Sequence, residues 1–220
     1  MSMLELINKG GPIVWILFAY SVVALSIIVE RLLHFSLMPK PEKNIETAIE
    51  NSVEQAEVKK HIDNLKGPEA RIMQGIHKAW HKNVKNLESV ASRLGSIELQ
   101  RMERGFRTLS ILGNTAPLLG LLGTIIGMIK AFMVIELAGG RVDSQALAGG
   151  IWEAMLTTGV GLAVSIPVLL ILHMFEGMAD RRAHSMRGYA MLMLEHLPHP
   201  ASNEGNGEAA HHRKGVIHAV

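Results

Sequence analysis

The sequence predicts an all-α membrane protein with three transmembrane helices and long cytoplasmic helical extensions. Three apolar stretches of about 20 residues support this fold class: they are Gly10 to Val29, Thr108 to Ile129 and Ala154 to Phe175. At a rise of about 1.5 Å per residue, a helix of that length covers the roughly 30 Å hydrocarbon core of a bilayer. Lys, Glu, His and Asn dominate the intervening segments. The 48% hydrophobic content is therefore concentrated in three blocks.

The first stretch is expected to remain in the protein as a span. It is too long for the apolar region of a signal peptide, and no basic segment precedes it. Pro39 and Pro41 then break the chain beyond its end.

The segment between the first and second spans is predicted to be helical. A charged helix is predicted from Glu42 to Leu65, and Gly67-Pro68 interrupts it, with Pro68 suited to the first turn of the next helix. Apolar residues then recur at helical steps from Val84 to Ile97. Because no strong breaker follows, the helix is expected to continue into the second span.

The second span ends near Gly139-Gly140, and the third begins near Ala146 without a stop signal at its far end. The polar, Gly-rich and His-rich tail is predicted to be disordered. The predicted segments are an outer N-terminal segment 1–9, transmembrane helix 10–33, cytoplasmic helical segment 34–107, transmembrane helix 108–135, short outer loop 136–145, transmembrane helix 146–176, cytoplasmic helical extension 177–197 and disordered tail 198–220.

Basic residues near the span ends predict the orientation, because Lys and Arg accumulate on the cytoplasmic side. Only Lys9 and Arg141 lie on the predicted outer side, with Lys130 close to that boundary. This asymmetry predicts an outer N-terminus and a cytoplasmic C-terminus. The basic residues near the inner ends of the predicted spans are Arg31, Lys40, Lys43, Arg93, Arg101, Arg104, Arg107, Arg181, Arg182 and Arg187.

Composition excludes several classes of function. A net charge of +2 gives no indication of a nucleic-acid partner. The absence of Cys excludes disulfides and thiolate chemistry. No nucleotide loop, hydrolase triad or metalloprotease motif is present, so we expect neither an enzyme nor a cofactor. The tail histidines do not match a compact metal site: they are His196, His199, His211, His212 and His218.

Small residues form a stripe along the second span. Gly113, Pro117, Gly120, Thr124 and Gly127 alternate at steps of four and three, which places them on one helical face. A G-x-x-x-G spacing also joins Gly123 to Gly127. Small residues allow membrane helices to approach closely, so this stripe predicts a helix contact. Alternatively, Thr124 is a polar group that faces a central pathway.

The third span carries a second stripe, formed by Ala154, Thr158, Gly161 and Ser165. Tight packing explains it as well as a polar pathway does. Pro117 and Pro167 are each expected to kink their helix or to free a carbonyl.

Glu153 lies at the outer margin of the third span, which allows two interpretations. It is a solvated interfacial carboxylate, or it is a proton-responsive or partner-binding group at the mouth of a pathway. Lys130 and Glu136 are interpreted as snorkelling anchors or surface groups, and His173 as interfacial.

Two sequence runs resemble signatures of the MotA/TolQ/ExbB proton-channel family. NTAPLLGLLGTIIGM at 114–128 resembles its second-span signature, and GIWEAMLTTGVGLAVSIP at 150–167 resembles its third-span signature. The length and span count are similar to the ExbB and TolQ branches, since MotA-type stators have four spans.

The resemblance implies a bacterial inner-membrane protein that forms a homopentamer in the lipid bilayer. The second and third spans of its subunits would line a pore that holds the spans of an ExbD-like partner. Proton flow would drive movement that a TonB-like energy transducer passes to outer-membrane transporters. The family's polar pore residues correspond to Thr124, Glu153 and Thr158. The resemblance also implies that the central proton-carrying Asp belongs to the partner.

Other functions stay open at this point. A TolQ-like subunit would serve envelope constriction with TolR- and TolA-like partners, and the pore motifs do not separate the two branches. A non-conducting membrane scaffold would use the glycine stripes only to build an oligomer. A membrane enzyme is disfavoured because no catalytic set is clustered in the sequence.

Overall fold

The computed structural model describes residues 11–39, 66–137 and 144–197, and these ranges are helical and contain no strand. The helices are α1 (Gly11–Leu37), α2 (Pro68–His81), α3 (Leu87–Met102), α4 (Phe106–Leu137) and α5 (Ser144–His196). The all-α prediction is therefore confirmed for the described chain. The predicted N-terminal segment 1–9, the helix from Glu42 to Leu65, most of the outer loop and the tail 198–220 lie outside the described residues.

Within the described ranges, three helices are long and apolar enough to cross a membrane: Gly11–Leu37, Phe106–Leu137 and Leu147–His196. The exposed side chains along them include Leu25, Leu118, Ile125 and Leu170. An apolar surface of this extent is what a bilayer solvates. The prediction of a three-span membrane protein is confirmed.

The chain divides into two compact units, Met1–Met38 with Leu99–Arg182, and Pro39–Glu98 with Ala183–Val220. The first unit contains the three spans and every candidate site residue. In it, Leu17 of α1 packs with Ala116 of α4, and Val160 and Val164 of α5 cover the same cluster. The three spanning helices therefore form one bundle.

Stacked aromatic rings pack together at the end of this bundle where α1 ends and α4 begins. The Phe175 ring of α5 lies with its centroid 5.8 Å from that of Phe35 and 6.1 Å from that of Phe106. Nearby, the buried Arg31 side chain donates through Nη1 to the carbonyl of Arg101, in the last turn of α3. The arginine therefore supplies a donor to the last turn of a helix, where carbonyls generally lack partners within the helix.

The expected continuous helix from the cytoplasmic segment into the second span is wrong. α3 ends at Met102, and α4 begins at Phe106 after a turn. Gly105 has a φ of 88°, a left-handed conformation that glycine adopts without strain. A single glycine is a weak breaker in sequence, because a helix also tolerates it.

The predicted apolar stripe begins at Val84, but α3, the helix that contains the rest of the stripe, begins only at Leu87. α2 ends at His81, Asn83 has a φ of 52°, and the backbone N–H of Ser89 donates to Asn86 Oδ1 at 2.8 Å. Asn86 therefore caps the start of α3. Within this part of the chain, Arg71 of α2 and Glu98 of α3 form an ion pair at 3.4 Å.

Candidate pore-lining and helix-contact residues

The central contact between α4 and α5 is made by two glycines, Gly120 and Gly161. A Cβ placed on Gly120 would lie 3.0 Å from both the carbonyl oxygen of Thr157 and the Cα of Thr158. A Cβ on Gly161 would lie 2.7 Å from the carbonyl oxygen of Ala116. The atoms that such a Cβ would meet belong to the backbone, which cannot rotate away as a side chain can. The two helices therefore touch along their main chains, as small residues permit in membranes.

The same contact continues along the predicted stripe towards the far end of α4. A Cβ on Gly123 would overlap the Thr157 side chain, and one on Gly127 would lie 3.0 Å from the Ala154 Cβ. Gly113 differs, since its nearest atom, at 2.6 Å, is Cδ2 of the flexible Leu169 side chain. We expect substitution to be costlier at Gly127 or Gly120 than at Gly113.

Two further residues extend this contact beyond the predicted stripes. A Cβ on Gly150 would lie 2.7 Å from the Ala131 Cβ. Ala131 lies four residues after Gly127 on the same face of α4. The helical spacing could have revealed Ala131, but alanine is too common in membrane helices to stand out.

Pro117 determines a polar contact across the two helices. Because proline has no N–H, the carbonyl of Gly113, four residues earlier, loses its usual helical donor. The buried hydroxyl of Ser165 on α5 donates to that carbonyl at 2.6 Å. α4 runs through Pro117 and α5 through Pro167. Ser165 thus satisfies a group that the proline leaves open.

Thr157 and Thr158 both direct their hydroxyls to the carbonyl of Gly120. Thr158 donates to it at 3.2 Å, and Thr157 shares its single hydroxyl proton between this carbonyl at 3.4 Å and the carbonyl of Ala154 at 2.7 Å. Thr157 is fully buried, whereas Thr158 is half-buried. Both hydroxyls lie at the closest approach of the two helices.

Thr124 is half-buried and has a different hydrogen-bond partner from Thr158. Its hydroxyl donates at 2.7 Å to the carbonyl of Leu121 on its own helix. The Thr158 hydroxyl therefore bonds across to the backbone of α4, whereas the Thr124 hydroxyl bonds within its own helix. Thr124 follows Gly120 by one helical turn, so the two threonines lie at neighbouring levels of the bundle.

Glu153 lies where α1, α4 and α5 meet. Its Oε1 is 3.7 Å from Nζ of Lys130 on α4, and a Cβ on Gly11, the first residue of α1, would lie 3.0 Å from the same oxygen. The Glu153 side chain is 30% exposed. Thr158 follows Glu153 by five positions, which is about 140° around the helix. The structure thus brings Glu153 to Lys130 and Thr158 to Gly120, at two separate positions.

The Lys130–Glu153 pair was not predicted from the sequence, which places each residue at the margin of its own span. The signal that could have found it is the shortness of the loop between the second and third spans. A short loop makes neighbouring helices antiparallel, so the end of one lies beside the start of the next. Charges at those two margins then come within reach.

The part of the chain that the structure describes holds no group of three or more His, Cys, Asp or Glu that could bind a metal ion. His196, at the end of α5, bonds instead to the carbonyl of Leu192 through Nδ1 at 2.9 Å. The other histidines of the tail lie outside the described residues.

Comparison with known proteins gives a family match over most of these elements. The family model described as the MotA/TolQ/ExbB proton channel family matches residues 46–188. The chain is 28% identical over 183 residues to a putative biopolymer transport protein ExbB homolog of Methanothermobacter thermautotrophicus, covering 81% of this chain and 64% of that protein. It is 29% identical over 204 residues to the biopolymer transport protein exbB1 of Vibrio cholerae, covering 88% and 89% of the two chains. An ExbB-like protein of Synechocystis is 29% identical over 181 residues, covering 79% of this chain and 70% of that protein.

Proposed function

This chain belongs to the MotA/TolQ/ExbB proton channel family, and from that premise we propose that it is an ExbB-type subunit of an inner-membrane motor. The motor uses the proton-motive force to energise TonB-dependent transport across the outer membrane. Several copies of the chain, five in the arrangement proposed here, surround the single spans of an ExbD-like partner. A TonB-like transducer carries the resulting movement outward.

The observation that carries this proposal is the joining of α4 and α5 along bare backbone, with hydroxyls as the polar groups at the contact. A membrane potential supplies about 2.3 kcal/mol per elementary charge per 100 mV. To convert that energy into movement, the complex must block proton leakage except through the coupled step. A glycine-packed helix pair with Thr158 at its centre supports such a barrier, because it leaves little space for water.

The site residues of this proposal are Thr124, Glu153 and Thr158. Thr158 and Thr124 offer hydroxyls at neighbouring levels, and Glu153 offers a carboxylate at the end of the bundle near Gly11. A hydroxyl can accept and donate at once, so a threonine passes a proton without carrying charge itself. The proton-carrying carboxylate in mid-membrane belongs to the partner in this proposal.

A TolQ-type subunit is the alternative within the family, because the same helix contact would serve it equally well. Relatives that carry the ExbB name favour the ExbB branch. A scaffold without conduction is the alternative outside the family's chemistry, because hydroxyls bonded across a helix contact would also serve packing alone.

The test is complementation with defined partners. The chain is expressed in a host that lacks its own ExbB- and TolQ-type subunits, together with either the ExbD-like or the TolR-like protein from the same source. We expect energy-dependent uptake through a TonB-dependent transporter to return with the ExbD-like partner. Restoration of envelope constriction alone, with the TolR-like partner, would assign the chain to the TolQ branch. No restoration by either pair, with both complexes assembled, would favour the scaffold.

A further inference from the structure

We infer that Lys130 is a positioning residue that holds the Glu153 carboxylate in place at the junction of α1, α4 and α5. The inference rests on the proposed function, since it concerns the same pathway. Its basis is the contact of Lys130 Nζ with Glu153 Oε1 at 3.7 Å, which joins the second and third spanning helices. The same oxygen lies against the start of α1 at Gly11.

The backbone on both sides of this pair is fixed by close packing. Ala154, next to Glu153, packs on Gly127, and Ala131, next to Lys130, faces Gly150. Both alanines are buried. The two charged residues are therefore carried by a helix contact with almost no freedom of its own, and only their side chains can move.

Within that fixed frame, electrostatic attraction selects the position of the carboxylate. A glutamate side chain has several rotatable bonds, and at the margin of a bilayer it can turn towards water or towards a neighbouring helix. Gly11 lacks a side chain that would occupy the space next to Oε1. The Lys130 ammonium group lies on one side of the carboxylate and the Gly11 backbone on the other. Together they define the position at which Glu153 can bind a proton or a group of the partner.

Such a pair acts on position more than on stability. The Lys130 side chain is 58% exposed, and exposed ion pairs add little to folding stability. Loss of Lys130 is therefore expected to leave the helix contact intact while releasing the carboxylate. An Arg at this position would keep the charge and the reach, so it should preserve the pairing.

The pairing itself is tested without any measurement of transport. A water-soluble carbodiimide activates carboxylates, and an amine within contact distance then forms an amide with them. In the purified complex with its partner, we expect mass spectrometry to find a Lys130–Glu153 amide within a single chain. Glu153→Gln and Lys130→Arg should each remove that product, because neither retains both the carboxylate and the amine. Absence of the product from the wild-type complex would overturn the pairing.

Transport then tests the consequence. We expect Lys130→Met to lower energy-dependent uptake about tenfold at unchanged complex assembly, which is the low end of the loss seen at metal sites when a group that orients a ligand is removed. Lys130→Arg should restore at least half of the uptake. Glu136→Gln removes an exposed charge six residues further along α4 and serves as the matched control, with uptake unchanged.

The outcomes separate the two proposals. If Glu153→Ala abolishes uptake while Lys130→Met transports normally, the inference about Lys130 is overturned and the pathway role of Glu153 stands. A loss in Lys130→Arg as deep as in Lys130→Met would also overturn it, because charge would then not be what matters. If Glu153→Ala itself transports normally, the pathway role of Glu153 is refuted, and the positioning role of Lys130 with it.

Discussion

At the scale of single residues, one proline and one serine explain how α4 and α5 are joined by a hydrogen bond as well as by shape. Pro117 deprives the Gly113 carbonyl of its helical donor, and Ser165 of the neighbouring helix supplies the missing hydrogen bond at 2.6 Å. An unpaired carbonyl in this apolar setting would be costly. The proline and the serine are therefore coupled, although they are distant in sequence.

We predict that Ser165→Ala lowers the stability of the purified complex by about 1 kcal/mol, because the Gly113 carbonyl loses its donor. In a Pro117→Ala background the cost should nearly vanish, since the substituted residue regains the N–H that bonds to that carbonyl. Thermal unfolding of the wild type, the two single variants and the double variant in detergent measures the coupling. Equal losses in the two backgrounds would show that Ser165 acts through packing alone.

Residue types and their helical spacing could be read from the sequence, but their partners could not. The stripe containing Gly120 and Gly127 follows from periodicity within one helix. The partner of each hydroxyl depends on how far one helix is shifted along the other. In this structure Ser165 bonds to Gly113, and Thr158 bonds to Gly120. Close contacts between backbones set that shift, and a single chain's pattern does not contain it.

At the scale of elements, the pairing of α4 with α5 depends on which glycines face the partner helix. Gly161 and Gly159 lie two residues apart on α5, yet their surroundings differ. A Cβ on Gly161 would lie 2.7 Å from the Ala116 carbonyl, whereas a Cβ on Gly159 would meet no heavy atom within 4 Å among the described residues. The pair therefore offers a matched comparison within one helical turn.

We predict that Gly161→Ala destabilises the helix pair by about 1–3 kcal/mol, as overpacking does in a well-packed core. Gly159→Ala should be neutral within the folded chain, because its methyl group enters open space and Ala favours the helix. Gly120→Leu and Gly127→Leu should separate the helices or prevent assembly. Thermal stability and the mass of the native complex measure these effects. Equal stability of Gly161→Ala and Gly159→Ala would contradict the packing described above.

The elements also show where prediction from sequence fails. A continuous helix into the second span is expected because no strong breaker precedes it, but Gly105 adopts a left-handed conformation and separates α3 from α4. Glycine permits that turn without requiring it. By contrast, the three apolar spans are predictable, because a run of about 20 apolar residues has the length that a helix needs to cross a bilayer.

At the scale of the whole molecule, the distribution of Lys and Arg predicts which side of the membrane each segment occupies. The predicted cytoplasmic regions are 34–107 and 177–220, with the N-terminus outside. A reporter enzyme that is active only outside the cytoplasm should be silent when fused after Val220 or inserted near Asn64. The same reporter placed before Met1 should be active. Activity at Val220 or Asn64 would reverse the orientation.

The proposed proton pathway of Thr124, Thr158 and Glu153 also depends on the whole molecule. In one chain, Thr124 and Thr158 have separate hydrogen-bond partners, and Glu153 pairs with Lys130. The pathway proposed above would need several copies of α4 and α5 around the span of a partner, so it lies outside what a single chain forms. The family resemblance indicates these residues, whereas the structure adds the groups that hold two of them.

Proton flux through the assembled complex tests the central claim most directly. The chain and its ExbD-like partner are reconstituted in liposomes, a membrane potential is imposed, and internal pH is recorded. We predict partner-dependent flux for the wild type and a loss of at least about tenfold for Thr158→Val, which keeps the shape and removes the hydroxyl, and for Glu153→Ala. Glu153→Asp should retain part of the flux, and all variants should assemble normally. Wild-type flux in both Thr158→Val and Glu153→Ala would contradict the claim and leave these residues a structural role alone.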